Sequence, residues 1–364
     1  MDTTDRVYGC LIGGAIGDAL GATVEGWTHD RIAEEYGTVE TFREYYMPYS
    51  NTEPGSITSD TALRQYLSLA IVENGGRITP REFADALIEH LNEDRIWING
   101  EMVLRKLSAG ANAREGGVGT IPDNKIASAI TPVGIVNADD PRQAYQDGFA
   151  LASVLQEGEA RYAAATVAAG TAVAVRPDAT IDAVIQAMRE HSTGTVYRAI
   201  DLAMGIADES ETIEELIDAL YEEFLDWRWP AVQWDREKYY RGEVFSASPL
   251  EVVPVAMAVL SVCDGEVDRS IVEGVNYGRD SDGIATIAGC IAGALHGAEA
   301  IRDEWISKCE AANRDFFEEL EGDPDANFES MAERLVDALD AERAAAERRA
   351  VRLSELVGES DDDR

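Results

Sequence analysis

Two short segments of the 364-residue chain carry oxygen-bearing side chains where a helical protein would otherwise want apolar ones. Gly55-Ser56-Ile57-Thr58-Ser59-Asp60-Thr61 precedes an amphipathic stretch, and Gly278-Arg279-Asp280-Ser281-Asp282-Gly283 precedes the strongly apolar 284–295. Each lies at the start of a helix expected to be buried, where free backbone N–H groups and the positive end of the helix dipole favour anionic oxygen. Each also has a simpler reading, in which Ser59 or Asp60 caps the first helix and Asp282 caps the second. Asp280 and Asp282 resist it as a pair, because two carboxylates two residues apart at a helix start repel unless a cation or water lies between them. If the two segments meet, Thr58, Asp60, Asp280 and Asp282 form an all-oxygen nest suited to a hard divalent ion such as Mg²⁺, Mn²⁺ or Ca²⁺.

Other chemistries find less support. The four histidines (His29, His90, His191, His296) are scattered, and none adjoins a Ser or Cys in a nucleophile motif, which argues against a catalytic triad. Cys10, Cys263, Cys290 and Cys309 lack C-x-x-C spacing and read as small core residues rather than disulfides or zinc ligands. Trp227, Trp229 and Trp234 with Tyr239 and Tyr240 form an aromatic cluster that reads as core or interface before it reads as a platform for a base.

Charge narrows the field further. The chain has 69 acidic against 31 basic side chains, a net charge of −38. That sign repels phosphate backbones and anionic lipid, so neither nucleic acid nor a membrane surface is an expected partner. Only Lys106, Lys125, Lys238 and Lys308 are lysines. A lysine-poor acidic excess spread along the whole chain suggests adaptation to high salt, where screening removes the self-repulsion. The apolar stretches fall short of the roughly 18 to 20 residues needed to cross a bilayer. The first five residues carry no basic region ahead of the apolar 7–16, so no secretory signal is expected. The expected location is cytoplasmic.

Helices must position the two segments. In Asp5-Arg6-Val7-Tyr8-Gly9-Cys10-Leu11-Ile12-Gly13-Gly14-Ala15-Ile16-Gly17-Asp18-Ala19-Leu20-Gly21, glycines recur every four residues and leave one helix face bare for close approach of another helix. Glycine costs about 1 kcal/mol per helical site relative to alanine, so such a run needs a packing reason. Helical patterning continues over 60–73, 80–91, 99–107, 141–156, 159–175, 181–191, 195–207, 213–224, 249–263, 268–277 and 282–300. No stretch alternates as a strand would, and the expected fold class is all-α. The loop 110–124, rich in Gly and polar residues, is long for a plain connector. Glu321-Gly322-Asp323-Pro324 marks a boundary. It separates a domain at 1–322 from a C-terminal helical extension at 323–358 and an acidic, disordered tail at 359–364.

The Gly17-Asp18-Ala19-Leu20-Gly21 helix with Glu25 beyond it, Thr58-Ser59-Asp60-Thr61, and Val275-Asn276-Tyr277-Gly278-Arg279-Asp280-Ser281-Asp282 running into Ile287-Ala288-Gly289 together resemble the ADP-ribosylglycohydrolase family. The resemblance extends over roughly residues 5–320, with three motifs in order. It implies an orthogonal multi-helix bundle with a binuclear Mg²⁺ or Mn²⁺ centre that hydrolyses the bond from an ADP-ribose anomeric carbon to its acceptor. The family's ligands map onto Thr58, Ser59, Asp60, Asp280, Asp282 and Gly283, and Glu25 matches a glutamate over the ribose and metals. Ser59 stands where relatives usually carry Asp, and Gly283 where they carry Thr, so one firm ion and a second that is weak or absent are expected. Gln156 stands where relatives tend to carry His.

In this reading Glu25, Asp60 and Asp280 carry the catalysis, Thr58, Ser59, Asp60, Asp280 and Asp282 hold the metal, and Glu25, Asn124 and Gln156 meet the substrate. The partner is a small ADP-ribosyl or ribosyl group, free or on a modified protein. Two alternatives stay open. A nucleosidase is compatible with the absence of a Gly-Asn-Gly-Gly loop near Asp123-Asn124-Lys125-Ile126, and a nucleotide binder without turnover would tolerate Ser59 and Gly283.

Overall fold

A computed structural model describes residues 2–45, 53–92, 95, 98–226, 234–235, 244–245 and 247–357. The chain forms α1 (Thr3–Gly21), α2 (His29–Tyr36), α3 (Ser59–Asn74), α4 (Pro80–His90), α5 (Ile98–Ser108), α6 (Lys125–Ala129), α7 (Thr131–Val136), α8 (Pro141–Ala152) and α9 (Glu159–Ala174). It continues with α10 (Ile181–His191), α11 (Gly194–Glu209), α12 (Ile213–Asp226), α13 (Pro249–Val262), α14 (Val267–Tyr277) and α15 (Ser281–His296). α16 (Asp303–Ala312), α17 (Arg314–Glu321) and α18 (Phe328–Val357) complete it. The strands among the described residues are one antiparallel pair, Trp234–Asp235 with Val244–Phe245. The fold is all-α, as the absence of alternating patterning predicts.

At the centre, α1 lies along α15, and the glycine stripe is the reason it can. A Cβ at Gly13 would sit 2.5 Å from the Gly289 carbonyl oxygen, and Gly9 and Gly293 face each other in the same way. At the far end of this seam, a Cβ at Gly21 would fall 2.5 Å from the Asp282 backbone. The seam therefore delivers the C-terminal end of α1 to the first turn of α15. Leu11, Ile12, Ile16, Leu20, Ile284, Ile287 and Ile291 are fully buried around it. Burying side chains of this size stabilises the fold by about 1.5–3 kcal/mol each.

Several boundaries differ from the pattern-based expectation. The helix expected over 141–156 stops at Ala152, because Ser153 turns its carbonyl to the Gly117 N–H at 3.1 Å and the chain bends towards the loop 110–124. The helix expected over 282–300 ends at His296, with Gly297 at φ 78° and a short 3₁₀ turn after it. Helices α2, α6, α7, α16 and α17 were not anticipated; each is ten residues or shorter, too short for a periodic pattern to stand out.

α17 ends at Glu321, followed by Gly322 at φ 68°. Beyond it, Phe328, Met331, Ala332, Leu335 and Ala338 of α18 are buried in the core, whereas Val351, Leu353, Leu356 and Val357 are exposed. Trp227, Trp229, Tyr239 and Tyr240 of the aromatic cluster, the side chain of Trp234, and the tail at 359–364 lie outside the described residues. Among the described residues no helix is long and apolar enough to cross a membrane. All four cysteines are free and buried.

Candidate metal centre

The turn entering α3 is held from below by Asp18 of α1. Its Oδ2 accepts the backbone N–H groups of Thr58 (3.0 Å) and Thr61 (3.1 Å). Asn313 fastens the preceding residues, accepting from Ile57 N–H at 3.0 Å and donating to the Gly55 carbonyl at 3.0 Å. Thr58 caps the helix, its Oγ1 accepting from Asp60 N–H at 3.2 Å. Capping by Ser59 or Asp60 is therefore not what the structure uses, since Thr58 already supplies the oxygen. Burial first, and then the Asp60 charge, push the Asp18 acid up to about 6, against the Thr61 and Thr58 groups that favour its charged form.

A different brace positions the start of α15. Trp27 O accepts the Arg279 N–H at 2.6 Å, Gly26 N–H donates to Arg279 O at 2.5 Å, and Thr28 bridges to Gly278. Arg279 has φ 57°, a left-handed conformation rare for a residue with a side chain. Its buried guanidinium grips Glu251 of α13 through Nε and, at 3.0 Å, through Nη2, and Tyr277 Oη donates to the same carboxylate at 3.3 Å. A buried bidentate pair of this kind costs about 3–5 kcal/mol to break from one side, which accounts for the unusual backbone being kept. Ser281 Oγ donates to Gly21 O at 2.8 Å and ties the turn to α1.

The consequence is a convergence of carboxylates. Oxygens of Glu25, Asp280 and Asp282 all lie within 4.8 Å of one another. Asp280 occupies the cap position of α15 without making a side-chain capping bond, and Asp282 lies inside the first turn. The expectation of Asp282 as a cap is thus corrected: its Oδ1 and the Asp280 Oδ2 are buried with no hydrogen-bond partner among the described residues. Burial, followed by the Glu25 charge, raises both acids well above the ordinary carboxylate range. Asp60 raises them further, and the start of α6 touches both segments, through Asn124 at Gly283 and through Lys125 at Asp60. The two buried, unpartnered oxygens of Asp280 and Asp282, with the Glu25 carboxylate within 4.8 Å, are the donor set a hard divalent cation satisfies, so the residues present fit one such ion at Glu25, Asp280 and Asp282.

Lys125, the first residue of α6, enters from the opposite side. Its Nζ donates to Asp60 Oδ1 at 2.5 Å and to Ser59 Oγ at 2.8 Å. Burial disfavours the ammonium, but Asp60, Asp282 and Asp123 together outweigh it and raise its pKa. Asn124 N–H donates to Ala247 O at 2.9 Å, which anchors the loop. Gln156 Nε2 donates to Asp123 Oδ1 at 2.7 Å, and the same oxygen accepts Lys125 N–H at 3.1 Å.

Of the residues singled out from sequence, Glu25, Ser59, Asp60, Asn124, Asp280 and Asp282 come together around this cleft. Thr58 serves the turn as its cap, and Gln156 stands one layer back, holding Asp123. Sequence reasoning missed Asp18, Glu251 and Lys125. A signal for Lys125 was present: it is one of only four lysines, placed in a polar loop among strongly acidic surroundings.

Comparison with known proteins gives the family and the fold. The sequence model of one protein family, ADP-ribosylglycohydrolase, matches residues 1–345. An uncharacterised protein of Archaeoglobus fulgidus is 29% identical over 331 residues, covering 87% of this chain and 94% of the relative. The protein YegU of Escherichia coli is 24% identical over 339 residues, covering 85% and 93%. The ADP-ribosyl-[dinitrogen reductase] glycohydrolase of Rhodospirillum rubrum is 24% identical over 317 residues, covering 84% and 90%. Among solved structures, an ADP-ribosylglycohydrolase-related protein complex superposes with a TM-score of 0.66 at 18% identity, over 94% of this chain and 99% of that one.

Proposed function

Because the chain belongs to the ADP-ribosylglycohydrolase family, we propose that it is a Mg²⁺- or Mn²⁺-dependent hydrolase of a ribosyl glycosidic bond, acting on an ADP-ribosylated protein or an ADP-ribose derivative. The observation that carries this reading is the pair of orphaned buried oxygens on Asp280 and Asp282 beside Glu25. A divalent ion held there would supply Lewis acidity, engaging the ribose cis-diol and acidifying a water.

The chain's own groups account for the rest. Breaking a ribosyl bond builds positive charge on the anomeric carbon, and a cleft lined by Glu25, Asp60, Asp280 and Asp282 offers compensating negative charge. Glu25 is only partly buried, unlike Asp280 and Asp282, so it faces the side from which substrate arrives and is the residue to accept the proton of the attacking water. Asn124 offers an amide at the wall of the cleft for ribose hydroxyls. Gln156 keeps Asp123 and the loop before α6 in place.

A second reading, an ADP-ribose binder without turnover, draws on the hold Lys125 has on Asp60. One screen separates the readings. The purified protein is incubated with Mn²⁺ or Mg²⁺ in molar KCl with ADP-ribosylated peptides, ADP-ribose derivatives and free nucleosides. Release of ADP-ribose that stops with EDTA is the expected result. Cleavage of nucleosides alone would make it a nucleosidase, and binding without any release would make it the binder.

A further inference from the structure

The cleft has two unlike halves, and the difference suggests how many ions it holds. On one side, Glu25, Asp280 and Asp282 gather oxygens within 4.8 Å of one another, two of them buried and unpartnered. On the other, the Lys125 ammonium bonds Asp60 Oδ1 and Ser59 Oγ together. Resting on the metal-centre reading above, we propose that Lys125 is a built-in cation which fills the Asp60 half of the nest and limits this protein to a single divalent ion at Glu25, Asp280 and Asp282.

Three observations support it. First, the ammonium already occupies the oxygens that an ion on the Asp60 side would need. A hard cation requires oxygen ligands at about 2.0–2.6 Å, and it cannot take Asp60 Oδ1 and Ser59 Oγ while Nζ bonds both. Second, the charge balance favours one ion. Lys125 already returns one positive charge to the ionised carboxylates of the nest, which lowers the demand for a second divalent ion. A second ion on the Asp60 side would also sit against an ammonium that Asp60, Asp282 and Asp123 keep protonated.

Third, the neighbouring residue closes the remaining space. A Cβ at Gly283 would collide with Asn124 Nδ2 and with Asp280 Oδ2, so the absent side chain at 283 is what admits the Asn124 amide. Adjacent residues at the start of α6 thus fill both places where oxygen donors are missing, at Ser59 and at Gly283. Strengthening a second site by Gly283→Thr alone, which the sequence invites, meets an amide already in position.

Metal stoichiometry tests this without recourse to activity. Mn²⁺ titration by calorimetry, with electron paramagnetic resonance on the same samples, is run on wild type, Lys125→Met, Lys125→Gln and the charge-retaining Lys125→Arg, each checked for helicity by circular dichroism. Wild type and Lys125→Arg should bind one Mn²⁺ with an uncoupled signal. Lys125→Met and Lys125→Gln should gain a second Mn²⁺, at least about tenfold tighter than any second binding to wild type, given the size of a unit charge at this range. The gain should bring the exchange-coupled spectrum of ions some 3.5–4 Å apart. Two tight ions in wild type would overturn the proposal while leaving the metal centre intact. So would neutral variants that stay at one ion with unchanged affinity, or that lose it. No Mn²⁺ in wild type would remove the metal-centre reading and this proposal together.

Discussion

The Asp60 half of the cleft and the Asp280–Asp282 half are built from the same materials, carboxylates at the first turn of a buried helix, yet they end in opposite electrostatic states. At Asp60 the chain supplies its own counter-ion: Lys125 bonds the Asp60 carboxylate, Thr58 caps the helix, and one Asp18 oxygen holds the turn. At Asp280 and Asp282 the backbone is braced just as firmly, by the Arg279–Glu251 pair and the Trp27 carbonyl, but one oxygen of each carboxylate is left unpartnered. Burying an ionised carboxylate without compensation is costly enough that the group protonates instead, which is the direction in which both acids move. Acidic residues at a helix start are therefore not sufficient to identify a metal site. The discriminating feature is a brace that spends its hydrogen bonds on the backbone and leaves the carboxylates open.

The largest test of this contrast is Asp282→Asn. The amide keeps the shape and loses the charge, so Mn²⁺ affinity measured by calorimetry should fall by more than about 100-fold, beyond the 10- to 100-fold typical of changes in supporting residues. Circular dichroism should be unchanged, since Asp282 makes no capping bond. An affinity within threefold of wild type would break the contrast.

Asp60→Asn should act more weakly. Its Oδ1 is already committed to Lys125, so the same titration should show the single Mn²⁺ weakened by about tenfold or less, through loss of one neighbouring charge. A loss as large as that of Asp282→Asn would mean that Asp60 is a ligand of equal standing and that the two halves act as one.

The smallest expected effect concerns Asp18 beneath the Asp60 half. Its acid is held at about 6 against about 3.9 in an unfolded chain. The native state therefore binds the extra proton in between, and its contribution is fully present below about pH 4 and lost as pH rises through 6. In EDTA, the melting temperature should fall by a few degrees across that window, and Asp18→Asn should flatten the fall. A profile with the same slope in the variant would assign the titration to other groups.

Much of the architecture could be read before any coordinates. The glycine stripe required a closely packed partner and met one in α15. The absence of strand alternation pointed to an all-α fold, in which the described strands are one two-residue pair, and the family resemblance joined the two oxygen-rich segments, each of which also had a capping reading. The short helices escaped, since α6 and α7 offer too few turns for periodicity to register, and with α6 went the position of Lys125. The helix over 141–156 ends early for a different reason: the residues after Ala152 serve a tertiary contact with Gly117 rather than the helix.

Local preferences are properties of the chain alone: which stretches are helical, which faces are bare or apolar, and which residues carry oxygen at a helix start. These follow from steric and solvation properties that act over one or two turns. Which face meets which, and therefore which charge neutralises which, was decided only by the tertiary structure. Lys125 reaches Asp60 across 65 residues of chain, and Arg279 reaches Glu251 across 28. Electrostatic pairing depends on distance in space and on the exclusion of water. A chain pattern specifies neither until the helices have packed, so the filled half of the cleft and the open half look alike in sequence and differ in the fold.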